Sequence, residues 1–111
     1  MNTDPSPKVV VAVVQAAPVL FDRERTLDKV EALTEEAASQ GADLVLFPEA
    51  MVPAYPRGLS FGAVVGQRHP WGRDLWQLYW ENAVEVPGAA SERLGGLAAR
   101  GGRVGVGVCH V

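Results

Sequence analysis

Apolar residues fall in three short runs, separated by segments with helical or irregular patterning. The first run, Val9-Val10-Val11-Ala12-Val13-Val14, is apolar at every position and mostly β-branched. Branched side chains suit a pleated backbone. A run without polar alternation predicts a strand buried between layers rather than one at a sheet edge. Residues Gln15 to Phe21, broken by Pro18, predict a loop. Asp22 then offers an N-cap and Glu24 an acidic first turn for a helix running to about Gln40. Leu27, Val30, Leu33, Thr34, Ala37 and Ala38 share one side of that helix. Asp28, Lys29, Glu31, Glu35 and Glu36 share the other, which makes the helix amphipathic. Gly41 fits its C-terminal cap.

The second run, Asp43 to Phe47, predicts a second strand. Strand, helix and strand in this order form a βαβ unit, with parallel strands and a right-handed crossover. Residues Ala50 to Pro70 mix proline, glycine and aromatics without a period and read as a long loop. A second helix is predicted from Arg73, with Leu75, Trp76, Tyr79, Trp80 and Ala83 as an apolar stripe. That stripe is most simply core packing, and Pro87-Gly88 ends the helix. Ser91 caps a third, weaker helix to Arg100, interrupted by Gly95-Gly96. Arg103 to Cys109 predicts the last strand. The order β-α-β-loop-α-α-β is that of an α/β layered protein with a mostly parallel sheet. The helical stripes, with three tryptophans, are built to cover more sheet than three strands supply. The expectation is therefore the front portion of a larger domain.

Composition narrows the function classes. The chain of 111 residues, 48% apolar and 21% charged, suits one small globular domain. A domain of this length buries roughly two-thirds of its unfolded surface. The net charge of -3 and scattered Lys and Arg offer no field for nucleic acid or an anionic membrane. No apolar run approaches the ~20 residues of a membrane span. Residues 1–7 lack the basic flank and apolar core of a secretory signal, and read as a short loose tail. One cysteine, Cys109, rules out an intrachain disulfide. Together these features point to the cytoplasm.

Candidate chemistry starts at Leu44-Val45-Leu46-Phe47-Pro48-Glu49, where a carboxylate follows an apolar strand. Function gathers beyond the carboxyl ends of strands in open parallel sheets. Partial burial there would raise the Glu49 pKa and make it a general base near neutral pH. The alternative is a surface glutamate that caps or bridges a loop. Cys109 invites a nucleophile reading. It ends a buried-strand pattern with no partner base nearby in sequence, so a core thiol is the better reading. Gly102, Gly105 and Gly107 match a dinucleotide loop poorly, because the third glycine and the following helix are missing. His69 and His110 lie far apart without ligand spacing, which supports no metal site.

From Gly41 to Pro56 the sequence, Gly-Ala-Asp-Leu-Val-Leu-Phe-Pro-Glu-Ala-Met-Val-Pro-Ala-Tyr-Pro, strongly resembles the first signature of the nitrilase branch of the carbon–nitrogen hydrolase superfamily. Val9 to Pro18 is similar to that family's first strand. Tyr79 to Gly88 is similar to its later helix and loop. The likeness extends from Lys8 to Gly107, and Tyr55-Pro56-Arg57-Gly58 favours the nitrilase and cyanide-hydratase branch. The resemblance implies the N-terminal part of an α-β-β-α sandwich, with residues 8–111 as a partial domain behind the tail of residues 1–7. It implies hydrolysis of non-peptide carbon–nitrogen bonds by a Glu-Lys-Cys triad, with no metal or organic cofactor. The substrate would be a nitrile, cyanide or an amide. The cysteine forms a thioimidate, the lysine stabilises charged intermediates, and Glu49 is the general base. Tyr55 falls where the family lines its substrate pocket. A homo-oligomer is implied for the complete protein.

Three departures accompany the resemblance. Ala54 stands where the family usually has glycine, and alanine restricts positive φ. The family's lysine and cysteine lie further along than the matched region, and neither Lys8, Lys29 nor Cys109 stands in their places. Trp80-Glu81-Asn82 imitates the residues after the nucleophile, but Tyr79 replaces the cysteine and the segment reads as helix. The expectation is a chain truncated before its catalytic Lys and Cys and inactive alone. The alternatives are a non-catalytic module that pairs with full-length homologues and a small nucleotide-binding domain.

Overall fold

The computed structural model describes residues 7–48, 50–52, 54, 63–64, 67–100 and 105–108. Eight elements follow in order: β1 (Val11–Val13), α1 (Arg23–Ser39), β2 (Leu44–Phe47), β3 (Ala63–Val64), β4 (Gln67–Arg68), α2 (Pro70–Glu81), α3 (Ala89–Arg100) and β5 (Gly105–Val108). The architecture is mixed α/β, with a small parallel sheet as expected. Its strand order is β1-β2-β5, which puts β2 in the middle. Both pairings are parallel, with Val11 opposite Leu44 and Leu44 opposite Gly105. Asp43 fixes the entry to this register. Its carboxylate accepts from the Val10 N–H at 3.0 Å, and its own N–H donates to the Val10 carbonyl at 2.8 Å.

α1 forms where the pattern predicts and for the predicted reasons. Asp22 caps it, accepting from the Arg25 N–H at 3.0 Å. Gly41 follows the helix end at φ 89°, where a side chain would be strained. Its buried stripe is Thr26, Leu27, Val30 and Thr34, with Leu33, Ala37 and Ala38 half-buried. Thr26, a polar core residue that the apolar pattern passes over, is satisfied locally. Its hydroxyl donates to the Val19 carbonyl at 3.0 Å and accepts from the Val19 N–H at 3.1 Å. This ties the preceding loop to the first helical turn.

α3 packs beside α1 over the same sheet face. Leu27 and Val30 of α1 join Val45 and Phe47 of β2, Ala90 and Leu97 of α3, and Ala42, Met51 and Val52 in one core. Arg93 of α3 is the electrostatic seam between the helices. It donates to Asp28 at 2.7 Å and to Glu31 at 2.6 Å, and Arg100 reaches Glu31 at 2.9 Å. Glu31, expected on the solvent side, is thus drawn into the α1–α3 seam. The N-terminus of α3 is closed by Ser91, whose hydroxyl donates to the Gly88 carbonyl and accepts from the Gly88 N–H.

Three expectations need correction. The first strand is shorter than Val9 to Val14 and lies at an edge of the described sheet. Val11 and Val13 are 48% and 68% exposed, and their register partners Leu44 and Leu46 are 37% exposed each. An apolar run has the same sequence signature whether or not anything covers its second face. Second, the segment read as a continuous loop, 50–70, contains the antiparallel hairpin β3–β4. Strands of two residues are too short to show a period. Third, α2 starts earlier, with Pro70 in its first turn, and ends at Glu81. Its aromatic stripe is not core. Gly72 is its buried residue, whereas Trp71, Trp76, Leu78 and Trp80 are exposed.

Candidate active site

The central strand points the chain at the candidate site. Val45 and Phe47 of β2 are buried under α1 and α3, so the strand's carboxyl end emerges from the core rather than from a free edge. Immediately beyond it the backbone makes two closed turns. The Met51 N–H donates to the Pro48 carbonyl at 3.3 Å, across position 49, and the Ala54 N–H donates to the Ala50 carbonyl at 3.0 Å. Ala50 and Ala54 both have positive φ, 56° and 80°. L-residues with a Cβ rarely adopt this region, and each such residue costs about 1–2 kcal/mol. The strain is held by burial, because Met51, Val52 and Ala54 are all within the core. Met51 is only 1% exposed.

Two sequence-predicted site residues, Glu49 and Tyr55, lie outside the described residues, as do Cys109, Gly102 and His110. The structure does describe what precedes and follows Glu49: a buried strand end and a buried, strained turn. Ala54 has a positive φ, which the glycine expected there from the resemblance would adopt without strain.

The remaining candidates take structural places. Lys29 sits on α1 and its ammonium donates to the Ala17 carbonyl at 2.6 Å, tying down the loop before the helix. Lys8 lies in the exposed segment before β1. His69 occupies the N-cap position of α2 and stacks on Trp71 with ring centroids 5.7 Å apart. Gly105 and Gly107 are residues of β5, extended rather than looped. Among the described residues no group of three His, Cys, Asp or Glu side chains is placed to hold a metal ion.

Trp80-Glu81-Asn82 proves to be a junction between helices. The Asn82 side chain accepts from the Arg23 N–H at 3.0 Å and donates to the Leu78 carbonyl at 2.9 Å. The Arg23 guanidinium donates to the carbonyls of Glu81 and Ala83 at 3.1 and 3.0 Å. The Asn82 side chain thus satisfies the N–H at the start of α1, and the Arg23 guanidinium satisfies carbonyls at and just after the end of α2, which puts a cation at the negative end of the α2 dipole. A cleft of about 570 Å³ adjoins this junction, lined by Arg23, Trp80, Glu81, Ala83, Val84 and Glu85. No described residue of the β2 turn lines it. Sequence reasoning missed Arg23 and Asn82, because a contact across 59 residues leaves no local pattern.

Among the described residues, the α1–α3 seam joins Arg93 and Arg100 to Asp28 and Glu31. Hydrogen bonds from Arg93, then Arg100, hold the Glu31 carboxyl below the ordinary glutamate range. The same contacts, Glu31 first and then Asp28, push Arg93 upward.

Comparison with known proteins agrees with this layout. The carbon–nitrogen hydrolase family profile matches residues 10–109. Nitrilase 3 of Arabidopsis thaliana is 48% identical over 100 residues, which is 90% of this chain and 29% of that protein. A bifunctional nitrilase/nitrile hydratase of Nicotiana tabacum is 44% identical over 95 residues, 86% of this chain and 27% of its own length. A nitrilase of Bradyrhizobium diazoefficiens is 47% identical over 91 residues, 82% of this chain and 28% of its own. The chain therefore spans under a third of the length of these relatives. With nearly every residue inside the matched region, the chain belongs to the carbon–nitrogen hydrolase family.

Proposed function

We propose that this segment supplies the general base, Glu49, to a nitrilase that converts a nitrile to a carboxylic acid and ammonia. The observation that carries the reading is that the family core Phe47-Pro48-Glu49 starts at the last residue of β2, the central strand of the described sheet. In the reaction Glu49 takes the proton of a cysteine thiol, and the thiolate attacks the nitrile carbon to give a thioimidate. One water adds and ammonia leaves. A second water releases the carboxylic acid and restores the thiol. Glu49 serves again as the base for water, so one carboxylate works in both halves of a covalent mechanism. The lysine and cysteine would come from parts of the family domain beyond the matched residues. Lys29, engaged on the Ala17 carbonyl, is unsuited to that part. Tyr55 would line the substrate pocket.

On this reading residues 8–111 are part of an α-β-β-α sandwich behind the tail of residues 1–7, in a cytoplasmic homo-oligomer needing no cofactor. The sheet face bearing Val11, Val13, Leu44 and Leu46 would meet the second sheet of that sandwich. Among the described residues no helix is long and apolar enough to cross a membrane. The same open face favours a second reading, a non-catalytic module that pairs with a full-length homologue. Co-purification with that homologue would support it.

The test is Glu49→Gln in a full-length enzyme carrying this segment, with ammonia release from nitriles as the readout. The amide keeps the shape and removes the base. Turnover should fall by about 10²–10⁴-fold with an unchanged fold. Wild-type turnover would overturn the role of Glu49.

A further inference from the structure

The turn after β2 is built differently from an ordinary exposed loop. Loops run over the surface because buried backbone leaves polar groups unsatisfied. Here Met51, Val52 and Ala54 are buried, while their turn is closed by two backbone hydrogen bonds and carries positive φ at Ala50 and Ala54. Strain of this kind persists only where the surroundings over-determine it. Met51 is the largest side chain of the turn and is among the most deeply buried side chains of the described residues. It packs in the cluster that holds Phe47 of β2. Position 49 is therefore bracketed by buried anchors two residues before and two residues after it.

We propose that Met51 is a positioning residue for Glu49: its burial locks the strained turn that follows position 49. This inference rests on the assignment of Glu49 as general base. Met51 touches neither substrate nor reacting atoms in this scheme. It works by fixing the backbone from the core side, as a supporting shell fixes a catalytic group. A carboxylate displaced by about 1 Å loses on the order of 10²-fold in rate.

The experiment compares Met51→Ala with Leu27→Ala in the full-length enzyme, well below both melting transitions. Leu27 is equally buried in the same core but belongs to α1 rather than to the turn. Both variants should lose stability. Met51→Ala alone should lose about 10–100-fold in kcat, with KM little changed and a shifted acid limb in the pH profile of kcat/KM. Met51→Leu, which conserves volume, should restore kcat and the wild-type acid limb. Met51→Val, a smaller truncation, carries the same comparison if the alanine variant does not fold. Wild-type kcat in the Met51 truncations overturns the inference, as does a parallel fall in Leu27→Ala. Glu49→Gln, measured alongside, separates the two levels. If that variant is active, the general-base assignment itself fails. If it is inactive while the Met51 truncations are not, only the positioning role fails.

Discussion

Helices α1 and α2 carry the same kind of sequence pattern and have different fates. Each has an apolar stripe and a polar side. α1 buries its stripe against β2 and α3, so Leu27 and Val30 become core. α2 presents Trp76 and Trp80 outward, the latter 71% exposed, and is held at its C-terminal end through Arg23 and Asn82. The comparison teaches that an amphipathic pattern states a demand for a partner surface. It does not state whether the chain itself supplies one. For α1 the partner follows at once, as the next strand. For α2 the described residues provide a polar latch instead of a core.

The sharpest way to break this comparison is truncation on both helices. Leu27→Ala should cost about 2–5 kcal/mol, because it leaves a cavity in a packed core. Trp80→Ala should stay within about 0.5 kcal/mol, as an exposed substitution does. Urea unfolding of the two variants side by side checks this. Equal losses would show that α2 is buried in solution.

The latch is tested by Arg23→Ala. Two carbonyls lose a charged donor, so the expected loss is about 1.5 kcal/mol. Hydrogen exchange should rise in the last turn of α2 while α1 stays protected. A change confined to α1 would show that Arg23 serves its own helix only.

Ala54→Gly should act in the opposite direction. Relief of the positive φ at Ala54 gains about 1–2 kcal/mol, and the freer unfolded chain takes back about 0.4–1. A net gain of about 0.5 kcal/mol should appear as a raised urea midpoint. A loss would mean that the methyl group's packing outweighs the backbone strain.

The smallest effect belongs to the α1–α3 seam. The Glu31 pKa is lowered in the folded state, chiefly by Arg93 and then Arg100. Its contribution is therefore fully present above the unfolded glutamate value of about 4.3, and is lost as pH falls through the lower folded value. Glu31→Gln should flatten that part of the acid limb, and added salt should shrink the difference between variant and parent. An unchanged acid limb in the variant would show that the seam's ion pairs do not contribute.

Much of the fold was legible along the chain, for local reasons. Asp22, Gly41 and the Leu27–Val30 stripe are signals within one or two helical turns, and α1 forms between them. The βαβ order and parallel pairing follow from a strand, an amphipathic helix and a strand in succession. The antiparallel pair β3–β4 left no signal because its strands are shorter than a period. β1's place at the edge was illegible because strand order is a property of the sheet. Of the candidate site, the sequence showed the carboxylate and its strand. The resemblance to nitrilases supplied its role, which the match over residues 10–109 supports only as family membership. Burial of Met51 was not legible. A methionine between an alanine and a valine reads the same in a loop as in a core.

By itself the sequence determined the elements whose causes are local: capped α1, the parallel strands around it, and an acidic residue just after the second strand run. It also determined the family, through the continuous motif from Gly41 to Pro56. Tertiary structure alone decided which apolar surfaces found partners. It placed Val45 and Phe47 under two helices and left Val11, Val13, Leu44 and Leu46 on an open face. It also drew Glu31 to Arg93 across 62 residues and Asn82 to Arg23 across 59. The physical reason is the range of the interactions. Caps, turns and periodicity act within a few residues, whereas burial and ion pairing depend on what the folded chain brings alongside.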